Sequence, residues 1–338
     1  MTNLTNRQIK LAARPVGMVK PSDFALATEP VAQPGPGEVL VKVQYISLDP
    51  AMRGWMNEGR SYVRPVGVGE VMRAGGIGRV IATDDSSIAV GDTVTATTGV
   101  QDYALVKAAD VVKVDPRAAP LPRYLGVLGM PGLTAYFGLL DIGRPTPGET
   151  VVVSAAAGAV GSVVGQIAKM KGCRTVGIAG GADKCRSVIE EFGFDAAVDY
   201  KQEDVRKKLR EHCPNGIDIY FDNVGGPILE AALANLACKA RVVLCGAISQ
   251  YNATRDDLRG PRNYMALLVN RARMEGFVVF DYAARYAEAA RAMAGWIAEG
   301  KLKAREDIVD GIETFPQTLL KLFRGENLGK LVIRVSND

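Results

Sequence analysis

Apolar and polar positions change rhythm near residue 123. Before it, short apolar runs alternate with turn signals. Gln33-Pro-Gly-Pro-Gly-Glu38 precedes Val39–Tyr45, Gly75-Gly76 precedes Gly78–Ala82, and Val90-Gly-Asp92 precedes Thr93–Ala96. Regularly spaced short strands of this kind predict a β-barrel-type or sandwich-like domain. After it, strand-like runs alternate with helical patterns: Thr150–Ser154 then Gly158–Lys171, Thr175–Ile178 then Asp183–Phe192, Ile217–Phe221 then Pro227–Leu236, Arg241–Leu244, and Gly276–Phe280. That order predicts an α/β domain with a doubly wound parallel sheet. A last helical segment, Phe315–Phe323, and a terminal strand, Lys330–Val335, are expected to return to the first domain. The expected division is 1–122 with 305–338, and 123–304.

The length of 338 residues agrees with two cores. The 41 basic and 37 acidic residues leave a charge of +4, and no basic block stands alone, which argues against a nucleic-acid partner. The longest uncharged stretches, Tyr124–Leu140 and Thr150–Ala168, are broken by glycines and, in the first, by Pro131, so no membrane span is expected. The beginning of the chain lacks an apolar signal-like region. Five cysteines, Cys173, Cys185, Cys213, Cys238 and Cys245, include no C-x-x-C pair and read as reduced thiols of a cytoplasmic protein. One histidine, His212, rules out a multi-histidine metal site.

The most informative segment is Val151–Gly165. It follows the G-x-G-x-x-G pattern with Ala156 at the first glycine, then Gly158, Ala159, Val160 and Gly161. A β-branched strand before the turn and a helical pattern after it form the context of a dinucleotide-binding turn. Gly158 would let backbone N–H groups approach a pyrophosphate, and Gly161 would let helix and strand pack closely. At the end of the second strand an NAD-type site presents an acid to the ribose. Here the window Ile178-Ala-Gly180-Gly181 has none before Asp183. Lys184, Arg186 and Tyr200 instead suit a 2′-phosphate, and therefore NADPH (NADP+).

These residues resemble a known family. Ala155-Ala-Ala-Gly-Ala-Val-Gly161, with Gln250-Tyr-Asn252 and Asn327-Leu-Gly-Lys330, is similar to the zinc-independent medium-chain dehydrogenase/reductases. Within them it resembles the NADPH-dependent 2-alkenal and 15-oxoprostaglandin reductases, the leukotriene B4 12-hydroxydehydrogenase branch. Gly246–Asn252, Arg262-Asn-Tyr264 and Asn270–Phe277 are similar to bacterial NADPH-dependent curcumin reductases. The resemblance implies a GroES-like domain, a Rossmann domain and, as in many relatives, a homodimer. It implies that Lys184 and Tyr200 contact the 2′-phosphate and that Asn223 and Cys245 line the cofactor, although Cys245 reads equally well as a small core residue. Tyr251 would approach the nicotinamide, Phe277, Val278 and Val279 would pack along the ring, and Asn327 would close the site. Ser47-Leu-Asp-Pro-Ala-Met-Arg53 occupies the stretch where zinc-dependent relatives place a ligand cysteine. Two positions depart from the pattern: Val269 replaces a tyrosine that relatives assign to the substrate oxygen, and Ala51 replaces another. Tyr264, from an adjacent loop, is the candidate to replace the first.

The implied chemistry is hydride transfer to the β-carbon of a small-molecule enone or enal, with Tyr251 or Tyr264 donating to the carbonyl oxygen. A phenol suits that role because its reference pKa is about 10. Quinone reduction, or a non-catalytic NADPH-binding or nucleic-acid-binding module, are the competing readings. Two patterns carry no such chemistry. Tyr103-Ala-Leu-Val-Lys107 has the spacing of a short-chain dehydrogenase pair but lies in an alternating, strand-like stretch. His212 falls at the polar end of a helical pattern before Pro214.

Overall fold

The computed structural model describes residues 4–254 and 256–336. The chain divides into two units, one holding the residues up to Gly126 and those from Glu306 onward, the other Val127–Arg305. The first unit opens with seven strands: β1 (Thr5–Leu11), β2 (Phe24–Pro30), β3 (Glu38–Ser47), β4 (Gly75–Thr83), β5 (Thr93–Thr97), β6 (Tyr103–Lys107) and β7 (Val112–Lys113). β1 and β2 form a separate antiparallel pair. The ten-residue β3 organises the main sheet, pairing with β4 along one edge and with β6 over part of the other. Tyr103 and Lys107 sit at opposite ends of β6, roughly 13 Å apart along the strand, too far to cooperate.

The second unit holds β8 (Thr150–Ser154), β9 (Arg174–Ala179), β10 (Ala196–Asp199), β11 (Ile217–Asp222), β12 (Leu236–Leu244) and β13 (Arg273–Gly276). All pairings are parallel and the order is β10-β9-β8-β11-β12-β13. This is the dinucleotide-binding arrangement, in which order reverses beside the first strand and opens a crevice beyond the carboxyl ends. β8 is buried at all five positions, which its β-branched run permits because helices cover parallel sheets on both faces. The helix Gly161–Met170 packs behind it and is buried on all sides from Gly161 to Ala168, with Val163, Val164, Ile167 and Ala168 supplying its apolar contacts. His212 ends the helix Val205–His212.

The expected strand Gly276–Phe280 is a correction. β13 stops at Gly276, opposite the last residue of β12, Leu244, and a 3-10 helix begins at Val279. The run Phe277-Val-Val-Phe280 has strand composition, but the sheet beside it has ended, so no ladder remains for it to join.

The chain then returns to the first unit through β14 (Glu306–Asp310) and β15 (Lys330–Arg334), and β15 pairs antiparallel with the end of β3. Between them the helix Phe315–Arg324 has Pro316 in its first turn, where the missing N–H costs nothing, and ends at Gly325 with φ 62°. It buries Phe315, Leu319 and Leu322, and Phe315 meets Phe24 edge-on with ring centres 5.3 Å apart.

Candidate functional site

The dinucleotide turn leaves β8 through Ala155, held at φ 50°. Ala156 donates its N–H to Ile178 O at 3.0 Å, and Gly158 donates to Ala155 O at 2.9 Å, closing the turn. Ala159 and Val160 complete it, and the helix from Gly161 opens without a side-chain cap. The N–H groups of Ser162 and Val163 donate to Gly158 O and Val160 O, both at 3.1 Å, and it is the positive end of the helix dipole that attracts an anion. A Cβ at Gly161 would lie 2.4 Å from Ala155 O, within backbone that cannot move aside cheaply. A Cβ at Gly158 would meet only that same oxygen, at 3.1 Å, so the rest of its surroundings is open for a phosphate. The turn therefore fits a dinucleotide pyrophosphate. Gly161→Val is expected to lower stability by about 1–3 kcal/mol through overpacking and to weaken dinucleotide binding; thermal unfolding with and without NADPH checks both.

At the end of β9, Gly180 and Gly181 lead into the helix Ala182–Glu190, with Lys184 in its first turn. Asp199, closing β10, accepts the N–H groups of Gly181 at 2.7 Å and Lys201 at 3.0 Å. Tyr200 thereby lies over Gly180, where any Cβ would come within 2.7 Å of its ring. The fold thus brings Gly180 and Tyr200 together beside the helix that carries Lys184. Arg186 instead pairs with Asp183 at 3.3 Å, an exposed pair of little energetic weight.

The ends of β11 and β12 are knotted around Asp222. Its carboxylate, 0% exposed, accepts from the Tyr220 hydroxyl at 2.8 Å, the Ser154 hydroxyl at 3.1 Å, and the N–H groups of Val224 and Gly225 at 3.0 Å. Burial outweighs these bonds and holds the carboxyl above its ordinary range. Asn223 donates its side-chain amide to Ser154 O at 2.7 Å, and its backbone N–H to Ser154 Oγ at 2.8 Å, so it sits at the mouth of β8 beside the glycine turn. Cys245 and Gly246 donate to Asp222 O. Burial and the Asp222 charge push the Cys245 thiol up to about 12, so it remains neutral.

The two tyrosines differ in setting. Tyr251 is half-buried, and its phenol folds back over the loop after β12, where its oxygen accepts the Ala247 N–H at 3.2 Å. Tyr264 is 59% exposed, just ahead of the short helix Met265–Val269. Phe277 packs inward, edge-on to Phe221 at 6.4 Å and to Tyr282 at 6.5 Å, and Val279 is buried. The Phe277 ring is only partly buried, whereas the Val279 side chain faces the interior. Asn327 belongs to the first unit, where its amide donates to Gly329 O at 3.1 Å.

Several residues that build these geometries were not singled out in the sequence: Asp222, Ser154 and Asp199. The Asp222 signal was present, since an aspartate before Asn-Val-Gly-Gly at a strand end favours a turn that its side chain can cap. In the first unit, Lys330 is 3% exposed and donates to Leu48 O at 2.9 Å and Asp49 Oδ1 at 2.6 Å. Arg53, equally buried, donates to Pro15 O at 3.1 Å and Gly17 O at 3.0 Å. The Ser47–Arg53 stretch is thus anchored by two buried cations. Among the described residues, no three His, Cys, Asp or Glu side chains are grouped to hold a metal, and no helix is long and apolar enough to cross a membrane.

Residues 7–114 match the family described as the N-terminal domain of oxidoreductase, and residues 159–295 the family described as zinc-binding dehydrogenase. The chain is 47% identical to the NADPH-dependent curcumin reductase of Escherichia coli, over 98% of each chain. It is 40% identical to the NADP(+)-dependent 2-alkenal reductase of Nicotiana tabacum, over 99% of each. The crystal structure of CurA in complex with NADPH from Vibrio vulnificus superposes with a TM-score of 0.94 at 46% identity, covering 98% of this chain and 100% of that one. Similarity of that extent, spread over both units and joined to the strand order and glycine turn described above, establishes that the chain belongs to the medium-chain dehydrogenase/reductase family of oxidoreductases.

Proposed function

We propose that the chain uses NADPH to reduce the carbon–carbon double bond of α,β-unsaturated aldehydes and ketones, without a metal. The observation that carries the cofactor reading is the end of β9, where Gly180, Tyr200 and the helix bearing Lys184 converge and the stretch Ile178-Ala-Gly180-Gly181 carries no acid of its own. The relatives named above, a curcumin reductase and a 2-alkenal reductase, support the substrate class.

When bound, NADPH supplies the hydride. The chain's own part is to hold and polarise. The glycine turn and the helix from Gly161 take the pyrophosphate, and Lys184 and Tyr200 take the 2′-phosphate. Asn223 and Cys245 line the floor beyond β8 and β11, and Phe277–Val279 border it. Hydride addition at the β-carbon would leave negative charge on the substrate carbonyl oxygen, which a preorganised donor stabilises, and the α-carbon would then take a proton from water or a phenol. Tyr251 is the better candidate of the two tyrosines. It stands just beyond the carboxyl end of β12, where ligands of such sheets bind, and a backbone N–H already fixes its oxygen.

The test is NADPH consumption with a panel of alkenals, enones and quinones, with product mass showing two added hydrogens. A clear preference for quinones would overturn the assignment. Lys184→Ala is expected to weaken NADPH by about 10- to 100-fold, the worth of one charge-assisted hydrogen bond, and to leave NADH within about twofold. Equal losses for both cofactors would remove Lys184 from the 2′-phosphate site.

A further inference from the structure

We propose a second anion site in the Rossmann unit, a basic recess at the amino ends of the strands, built for a compact polyphosphate group. It does not depend on the reductase reading. The recess is open to solvent, has a volume of about 330 Å³, and is lined by Arg144, Lys239, Ala240, Arg241, Arg271 and Arg273. Five of these six residues are cations, gathered from three separate stretches of chain. Arg241 and Arg273 stand side by side on β12 and β13. The glycine turn follows β8 at the other end of the sheet, and Arg241 lies three residues, roughly 10 Å, before the carboxyl end of β12.

Two independent features point to a ligand. The first is unbalanced charge. Arg241 is forked onto Glu149, at 2.8 and 2.6 Å, and Arg273 pairs with Glu275 at 3.7 Å. Arg144, Lys239 and Arg271 have no carboxylate partner among the described residues. Arg144 spends only its Nε, on Asp141 O, and Arg271 one Nη, on Cys238 Sγ. Cations crowded in this way repel one another unless an anion lies among them, and guanidinium forks match the spacing of phosphate oxygens.

The second feature is backbone conformation. Among the described residues, four that are not glycine have left-handed φ: Ala155 in the dinucleotide turn, and Arg144, Lys239 and Arg271 at 51°, 64° and 51°. Thus all four lie either at the cofactor turn or around this recess. Arg144 follows the helix Gly138–Gly143, and Arg271 follows Asn270, the cap of Met265–Val269, the places where helices ordinarily put glycine. Lys239 stands where β12 bulges out of register with β11 between Ile217 and Ile219, another glycine position. At three sites where glycine would relieve the backbone, the chain carries a cation instead. Strain retained in this way clusters at functional sites.

The test titrates inorganic pyrophosphate into the full chain saturated with NADP+, by calorimetry at a fixed ionic strength of about 0.15 M. The expected result is one pyrophosphate per chain, bound at least about tenfold more tightly than sulfate or citrate. The double variant Lys239→Gly/Arg271→Gly is expected to lose that binding by at least about tenfold, while its Tm stays level or rises because glycine relaxes both left-handed positions. Lys239→Gln, which removes charge without freeing the backbone, is expected to weaken binding as well. Tighter binding of ADP would identify a nucleotide as the source of the group; tighter binding of pyrophosphate would identify the free anion. The proposal is overturned if pyrophosphate binds no better than sulfate, if the variants bind it as the parent does, or if an oligoribonucleotide binds more tightly than either phosphate compound.

Discussion

Replacing Asp222 by alanine is expected to cost on the order of 3–5 kcal/mol of stability, a large part of the roughly 5–15 kcal/mol that holds a typical protein folded. The change strands the Tyr220 hydroxyl and the N–H groups of Val224 and Gly225 at a buried strand end, and leaves the Ser154 hydroxyl only Phe221 O, at 3.4 Å. Each unmet buried donor costs about 1–3 kcal/mol. Asp222→Asn keeps the shape and one acceptor oxygen and is expected to lose less. Urea denaturation measures both; a loss below about 1 kcal/mol for the alanine variant would show that other acceptors replace the carboxylate. The sign of the pH dependence follows from burial, which raises this carboxyl above its ordinary range. The folded chain then holds the proton more tightly than the unfolded chain. The contribution of the group to stability is fullest below the unfolded carboxyl value of about 3.9 and is lost as pH rises through the native value. The asparagine variant has no such proton, so its stability relative to the parent is expected to improve as pH rises above the unfolded carboxyl value of about 3.9.

Tyr251→Phe is expected to lower kcat for enone reduction by about 100- to 1000-fold, the 2.7–4 kcal/mol that one donor to a developing oxyanion is worth. The KM for NADPH should change little, because the phenol is assigned to the substrate oxygen and not to the phosphates. Loss of the hydroxyl also removes the acceptor of the Ala247 N–H, so the expected structural effect is confined to the loop after β12. Tyr264→Phe, on a residue 59% exposed, is expected to stay within about twofold, since an exposed phenol competes with water for any acceptor. Single-turnover measurements at saturating NADPH separate the chemical step from release. A large loss in Tyr264→Phe with none in Tyr251→Phe would exchange their roles, and no loss in either would leave water or the cofactor as the donor.

Elements whose pattern depends on neighbours in sequence were legible before any coordinates. The β-branched run of β8 reads as a buried strand, and its observed limits, Thr150–Ser154, are those expected. Glycine spacing after it identifies a turn that backbone sterics then enforce, since Gly161 has no room for a side chain. The run at Gly276–Phe280 misleads because its composition is that of a strand while its fate depends on where β12 ends. Phe277 shows the same limit. Its ring belongs to a cluster with Phe221 and Tyr282, residues 56 and 5 positions away, which no local pattern reveals.

The sequence by itself determined the change from a β-rich first part to alternating strands and helices, the dinucleotide turn, the lack of an acid at the ribose position, and the family resemblance. All of these rest on spacings of a few residues, within reach of steric and hydrogen-bonding rules that act locally. Tertiary structure alone decided that Asp222 gathers two strand ends around one buried carboxylate, and that Lys330 reaches Leu48 and Asp49 across more than 280 positions. It also decided the placement of charge. The cations look evenly dispersed along the chain, yet Arg144, Lys239, Arg241, Arg271 and Arg273 meet in one recess. The physical reason is that a parallel sheet aligns the amino ends of strands distant in sequence, so a local charge density can arise that no window of the sequence contains.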